Sequence, residues 1–260
     1  MKYFVFSDVH GCAKELKEAL LNAGYDECNS NHMLLFLGDA FGHNKYGHYE
    51  VYKFLCESLK NNKLKWILGN HEIYLLNALA KEEASKFTID TIRDIAIGLD
   101  TNAIDYTDKE CIRVLKANNV DKMIKENGLN YFETDNYVLT HGFIPYNKSM
   151  GKYDPNWRNV SPKKWNYFRC LNGQKLVNLG IKIPNKTLVC GHVGAYFGYI
   201  IKNYPNVEID SKEFNNLAHK LMKGASVNKE PFNIYYGNNV IGVDGRAYDT
   251  HNVNVFVFEE

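Results

Sequence analysis

Residues 3–11 read Tyr3-Phe4-Val5-Phe6-Ser7-Asp8-Val9-His10-Gly11. An apolar run of this length, broken abruptly by polar residues, is the pattern of a short buried strand. Its far end delivers a carboxylate and an imidazole two residues apart. The same layout returns four times, as Leu37-Gly38-Asp39, Leu68-Gly69-Asn70-His71-Glu72, Leu139-Thr140-His141-Gly142 and Cys190-Gly191-His192. In sheets with helical crossovers, ligands bind outside the carboxyl ends of the strands. Five tips carrying Asp, Asn or His therefore predict one convergent site.

Outward from that stretch, strand and helix patterns alternate. Leu16, Ala19 and Leu20 recur at helical spacing within Lys14–Asn22, and Gly24 is a stop signal. Met33–Leu37 and Leu64–Leu68 read as further strands. Tyr46–Lys60 reads as a helix with Val51, Phe54, Leu55 and Leu59 on one stripe, and Glu72–Lys81 starts another. This repetition argues for βαβ units and parallel pairing. Residues 81–127 contain no proline and carry spaced apolar residues, notably over Thr88–Ile97 and Lys109–Lys125. They predict a helical insertion or cap within a single domain spanning 1–260.

The second half reads as strands at Tyr137–Thr140, Lys186–Cys190, Asn239–Val243 and Asn252–Phe258. The alternation of Val253, Val255 and Val257 is the clearest strand pattern in the chain. Leu171–Leu179 predicts a helix, and Phe143–Trp165, with three prolines, predicts mostly loop.

Composition excludes several classes. Hydrophobic residues make up 45% and charged residues 23% of 260, and the net charge is +1. That is ordinary globular usage, with no basic field pointing to nucleic acid. The six cysteines (12, 28, 56, 111, 170 and 190) form no C-x-x-C pair, so a zinc ribbon or disulfide scaffold is not expected and reduced, mostly buried thiols are. No apolar run approaches the ~20 residues that span a bilayer, and residues 1–7 are too short for a signal peptide. A soluble, cytoplasmic protein with no membrane partner is expected.

The residue types at the tips carry the chemistry. Carboxylate and imidazole suit divalent first-row metals, and the absence of Cys there argues against structural zinc. On an extended strand end, Asp8 and His10 would point the same way. Two metals about 3.5–4 Å apart need a bridging carboxylate, for which Asp39 is the natural candidate.

The set D-x-H, G-D, G-N-H-E, H-G and G-H, in this order from Asp8 to His192, resembles the calcineurin-like metallophosphoesterases. The resemblance implies an α/β fold, a four-layer α-β-β-α sandwich of two mixed sheets. It implies two divalent ions, manganese first, with iron, zinc or nickel as alternatives. It assigns Asp8 and His10 to the first metal, Asp39 to the bridge, Asn70, His141 and His192 to the second, and His71 to general acid. Gly191-His192-Val193-Gly194 lacks the second His of G-H-x-H. It is thus similar to the branch of serine/threonine phosphoprotein phosphatases and symmetrical dinucleoside-tetraphosphate hydrolases. That branch reads G-D-x-x-D-R-G at the second motif. Here Gly42 stands at the second Asp and His43 at the Arg.

Phosphate contacts are expected from Asn70 and His43, with Arg169 favoured over Arg158 as a clamp beside aromatic walls, and Arg246 beside Asp244 as a weaker third. The expected activity is hydrolysis of a phosphorylated protein, nucleotide or small molecule. A cyclic-nucleotide or oligonucleotide phosphodiesterase and a non-catalytic metal-binding regulator are the alternatives.

Overall fold

The computed structural model covers residues 1–260. The opening apolar run is β1 (Lys2–Phe6). It is followed by α1 (Ala13–Asn22), β2 (His32–Phe36), α2 (His48–Lys60) and β3 (Leu64–Ile67), with the three strands parallel. Each crossover helix carries an apolar stripe at i, i+4, namely Leu16 and Leu20 in α1 and Val51 and Leu55 in α2. The chain then runs through α3 (Asn70–Lys81), α4 (Ile89–Leu99), α5 (Asp108–Ala117) and α6 (Val120–Asn127). It rejoins the first sheet as β4 (Gly128–Leu129), parallel to β3.

A second sheet follows. β5 (Tyr131–Glu133) turns into β6 (Tyr137–Thr140), and a small hairpin, β7 (Tyr146–Asn147) and β8 (Lys152–Tyr153), precedes α7 (Pro162–Phe168) and α8 (Gly173–Asn178). β9 (Thr187–Cys190) pairs in parallel with β6. After α9 (Tyr196–Asn203) and α10 (Lys212–Lys223) come β10 (Tyr235–Gly237) and β11 (Val240–Gly242), the latter parallel to β9. The short α11 (Ala247–Thr250) leads into β12 (Phe256–Glu259), which returns to the first sheet antiparallel to β1. The sheet orders are β12-β1-β2-β3-β4 and β10-β11-β9-β6-β5, both mixed.

Strand alternation sorts the side chains into layers. Val5, Leu35 and Ile67 of one sheet meet Leu139, Val189 and Ile241 of the other, with Phe256 and Phe258, in a dry seam between the sheets. Phe4, Phe6, Leu34, Phe36 and Trp66 point the other way, into a core shared by α1 to α6. On the far side Val138, Leu188 and Val240 pack on Trp157, Trp165 and Val177. The result is the four-layer sandwich of two mixed sheets between helices that the motif set implied.

Three local expectations change. The 109–125 helix splits, because Asn119 sits at φ +57 and ends the run after α5; Asn tolerates that region better than most residues. The valine alternation forms a ladder only from Phe256, since its partner β1 is already turning away at Ser7 beyond the Val5–Phe256 pair. Val253 and Val255 pack instead into the helical-layer core. Within Phe143–Trp165 the structure has the β7–β8 hairpin and the start of α7, where Pro162 occupies the first turn. All six cysteines are free; Cys12, Cys111 and Cys190 are buried and Cys28 and Cys170 exposed. No helix is long and apolar enough to cross a membrane.

Candidate metal centre

All five tips leave their strands at the same edge of the sandwich. Asp8 N–H donates to the Gly38 carbonyl at 2.9 Å and His10 N–H to the Asp39 carbonyl at 3.1 Å, so the first two tips stay zipped beyond their strands. His192 N–H donates to Asp8 Oδ2 at 2.9 Å, which ties the second sheet to the first. Three clusters result, Asp8 with His10 and Asp39, Asp39 with His141 and His192, and the all-imidazole group His10, His43 and His71; within each, the candidate ligand atoms lie within 4.8 Å of one another, and only the first two contain carboxylates. Asp39 belongs to both. Asn70 Oδ1 lies 3.1 Å from His141 Nε2, which places it beside the second cluster.

The backbone reaches this geometry by strain rather than extension. Asp8, His10, Asp39 and His192 have φ of +53, +46, +61 and +64. The left-handed region costs an L-residue about 1–2 kcal/mol, and such strain persists where surrounding contacts over-determine it, commonly at functional sites. Asp8 and His10 thus converge through a tight turn after β1, not by sharing one face of an extended strand.

The donor chemistry fits divalent cations. His10 Nδ1 is 2.5 Å from the Phe41 carbonyl and His141 Nδ1 2.8 Å from the Leu37 carbonyl. A carbonyl there holds the proton on Nδ1 and leaves the Nε2 lone pair facing the carboxylates, the usual support of a ligating imidazole. Burial drives His10 well below the usual histidine range and, with the nearby His141, lowers His192 to about 4. Both are therefore neutral and free to coordinate. Burial and then the charges of Asp244 and Asp39 push the Asp8 carboxyl up. Burial alone would lower His141, but the Asp39 carboxylate at 3.3 Å raises it to about 9.

Residues 1–242 match the family model of the calcineurin-like phosphoesterases. The chain belongs to that family. Phosphoesterase membership makes it a metal-dependent hydrolase of phosphate esters. No curated protein matches the chain. Among solved structures it is similar to a mutant cold-active protein tyrosine phosphatase, at 14% identity over all of this chain and 75% of that one, TM-score 0.53. The cold-active protein-tyrosine phosphatase of the psychrophile Shewanella sp. is similar at 13% identity over the same shares, TM-score 0.51. A protein provisionally described as a diadenosine tetraphosphatase matches at 15% identity, covering 99% of this chain and 89% of that one, TM-score 0.47. At these identities the likeness to the two tyrosine phosphatase structures is one of fold.

The phosphoesterase site brings His71 and His43 to its rim. The His71 ring lies 5.0 Å from both the His10 and His43 rings. Its Nδ1 is buried without a hydrogen-bond partner and lies against Gly42. Arg158 is not brought to the site. Its guanidinium forks onto Glu133 at 2.8 and 2.5 Å and stacks on Trp157, and Glu133 also pairs with Lys186 at the entry end of β9, opposite the His192 tip. Arg169 lies next to the site but faces the protein. It is 3% exposed and donates to the Leu68 carbonyl and to Asn130 Oδ1, bracing the strand end that presents Asn70.

Sequence reasoning assigned no role to Glu72. Its fully buried carboxylate accepts from the N–H groups of Asp39, Ala40 and Gly69 at 2.8, 2.7 and 2.7 Å, locking the Asp39 tip to the Asn70 tip. The signal was present in Gly-Asn-His-Glu, because an acid at the third helical position faces free N–H groups. Tyr248 was missed without any motif to mark it; its ring stacks on His43 at 4.3 Å and meets His10 edge-on at 5.2 Å.

Proposed function

We propose that this phosphoesterase is a binuclear metal enzyme acting on phosphate esters, as a phosphomonoesterase, phosphoprotein-phosphatase-like or dinucleoside-polyphosphate-hydrolase-like. One observation carries the reading: two ligand clusters share a single buried carboxylate, Asp39. Asp8, His10 and Asp39 would hold one ion, and Asp39, Asn70, His141 and His192 the other. Manganese is favoured for a mixed carboxylate, amide and imidazole set, with iron, zinc or nickel as alternatives. Bound there, the two ions would supply Lewis acidity to the phosphoryl group and to the attacking water.

The remaining steps belong to side chains. Asn70, at the amino end of α3, offers an amide to a phosphoryl oxygen where the helix dipole favours negative charge. His43 presents its exposed ring beside those of His10 and His71. His71 gives a proton to the leaving oxygen, a contribution of about 10²–10⁴ in rate. A cavity of about 220 Å³ opens beside His71 and His43, lined further by Asn44, Lys86, Phe87 and Asp90, and gives the leaving group room.

Metal analysis and a substrate panel test this. Protein purified with Mn²⁺ should retain two ions per chain and hydrolyse p-nitrophenyl phosphate faster than its diester. Phosphopeptides and dinucleoside polyphosphates, compared by kcat/KM, separate the two substrate classes. A protein that takes up no divalent ion, or that holds ions and hydrolyses no ester, ends the reading.

A further inference from the structure

Transfer of a phosphoryl group spreads charge over its equatorial oxygens, and a cationic side chain commonly shares that charge with metals. Of the three arginines marked in the sequence, the two favoured ones are spent elsewhere, Arg158 on Glu133 and Arg169 on Leu68 and Asn130. The third, Arg246, lies between the loop that follows His192 and the Tyr248 ring that abuts His10. Arg246 follows β11 and lies beyond residue 242, where the family match stops.

Its surroundings are built. The Arg246 backbone is held at φ +50, with its N–H on Asp244 Oδ1 at 2.7 Å, and Asp244 is itself 4% exposed. The aliphatic arm lies against Gly194, two residues past His192; a Cβ on that glycine would come within 3.0 Å of Arg246 Cδ. The guanidinium carbon lies 4.9 Å from the Tyr248 ring centre, and that ring stacks on His43 and abuts His10. One side of Arg246 therefore touches the His192 loop, and the other is linked through Tyr248 to the first cluster. Nε and Nη2 bind Asp249 at 2.8 and 2.5 Å. Nη1 makes no hydrogen bond within the protein and is not a buried atom, so it is open to a ligand.

We infer that Arg246 is the substrate-gripping cation of this site, presenting Nη1 to the phosphoryl oxygens while Asp249 and the Tyr248 face hold its fork in place. The inference rests on the phosphoesterase reading and names a residue that reading leaves open. A charge-assisted bond from a held guanidinium selects a phosphate dianion over a diester monoanion.

The test titrates inorganic phosphate into the Mn²⁺-loaded full chain by calorimetry, beside p-nitrophenyl phosphate kinetics. Arg246→Ala should weaken phosphate binding and raise KM by about 10- to 100-fold, the loss expected of one charge-assisted bond. Arg246→Lys should fall between it and the wild type. Asp249→Asn loosens the fork but keeps the guanidinium, so its loss of phosphate affinity should be clearly smaller than that of Arg246→Ala, about two- to fivefold. Phosphate binding by Arg246→Ala that matches the wild type overturns the inference. So does an Asp249→Asn loss as large as that of Arg246→Ala, which would make Arg246 a structural partner only, and so does a wild type that binds no phosphate. A wild type that binds phosphate through Arg246 yet hydrolyses no ester would sink the enzymatic reading alone.

Discussion

Replacing Gly42 with alanine probes the link between the second motif and His71. Gly42 has φ +83, and a Cβ there would lie 2.5 Å from His71 Cε1, 3.1 Å from Cγ and closer still to Nδ1. The left-handed backbone costs alanine about 1–2 kcal/mol. Keeping the ring in place would add an overpacking term of about 1–3 kcal/mol. The ring has reason to move instead, because its Nδ1 makes no hydrogen bond and the neighbouring Tyr74, at 5.4 Å, is 40% exposed. Gly42→Ala should therefore lose only the backbone portion of stability, about 2–8 °C in thermal midpoint at about 2–4 °C per kcal/mol. Catalysis should suffer more, through a misplaced proton donor. With phenyl phosphate, whose leaving group needs protonation, kcat/KM should fall at least about 100-fold. With p-nitrophenyl phosphate, whose leaving group departs readily, the fall should be under about tenfold. Metal content should be unchanged, since His71 is outside the ligand set. Equal losses on both esters would refute the general-acid assignment, and wild-type kinetics would refute the packing reasoning.

Asp39→Asn removes the one carboxylate common to both clusters; bound metal measured after gel filtration should drop below one ion per chain, and full occupancy would count against a bridge. Glu72→Ala leaves three buried N–H groups without an acceptor, each costing about 1–3 kcal/mol, so a loss of at least about 3 kcal/mol is expected in urea unfolding; an unshifted midpoint contradicts the locking role. Arg158 and then Lys186, by hydrogen bonding, outweigh partial burial and lower Glu133 from 4.5 to about 2. A depressed carboxyl contributes stability that is present above its unfolded value and lost as pH falls toward 2. Because Arg158 is 38% exposed, solvent screens the pair, and Glu133→Gln should cost only about 1 kcal/mol at pH 7. That gap should narrow between pH 4.5 and 2; a gap independent of pH would mean the pairs contribute nothing.

Local pattern carries far in this chain. Apolar runs of four or five residues, each closed by Gly and a metal-type side chain, were enough to place β1, β2, β3, β6 and β9 and to nominate all six candidate ligands. The reason is that a strand buried on both faces is almost continuously apolar, the exposed Lys65 of β3 being an exception, so the polar tip marks its end. The fold class followed from the strand–helix alternation and the motif order. What the sequence could not carry was anything dependent on direction. A guanidinium reads the same whether it faces a phosphate or a backbone carbonyl, and only packing turns Arg169 inward onto Leu68, Arg158 onto Glu133 and Arg246 onto Asp249 beside Tyr248. Left-handed φ at Asp8, His10, Asp39 and His192 is likewise invisible in residue identity, because these tips are held by partners distant in the chain, Asp8 by Gly38, His10 by Asp39 and His192 by Asp8. The stack of Tyr248 on His43 joins positions 205 residues apart, across chain that no periodicity links. Residue type and spacing determined which chemistry is on offer; the closing of two sheets on one edge decided which side chains meet there.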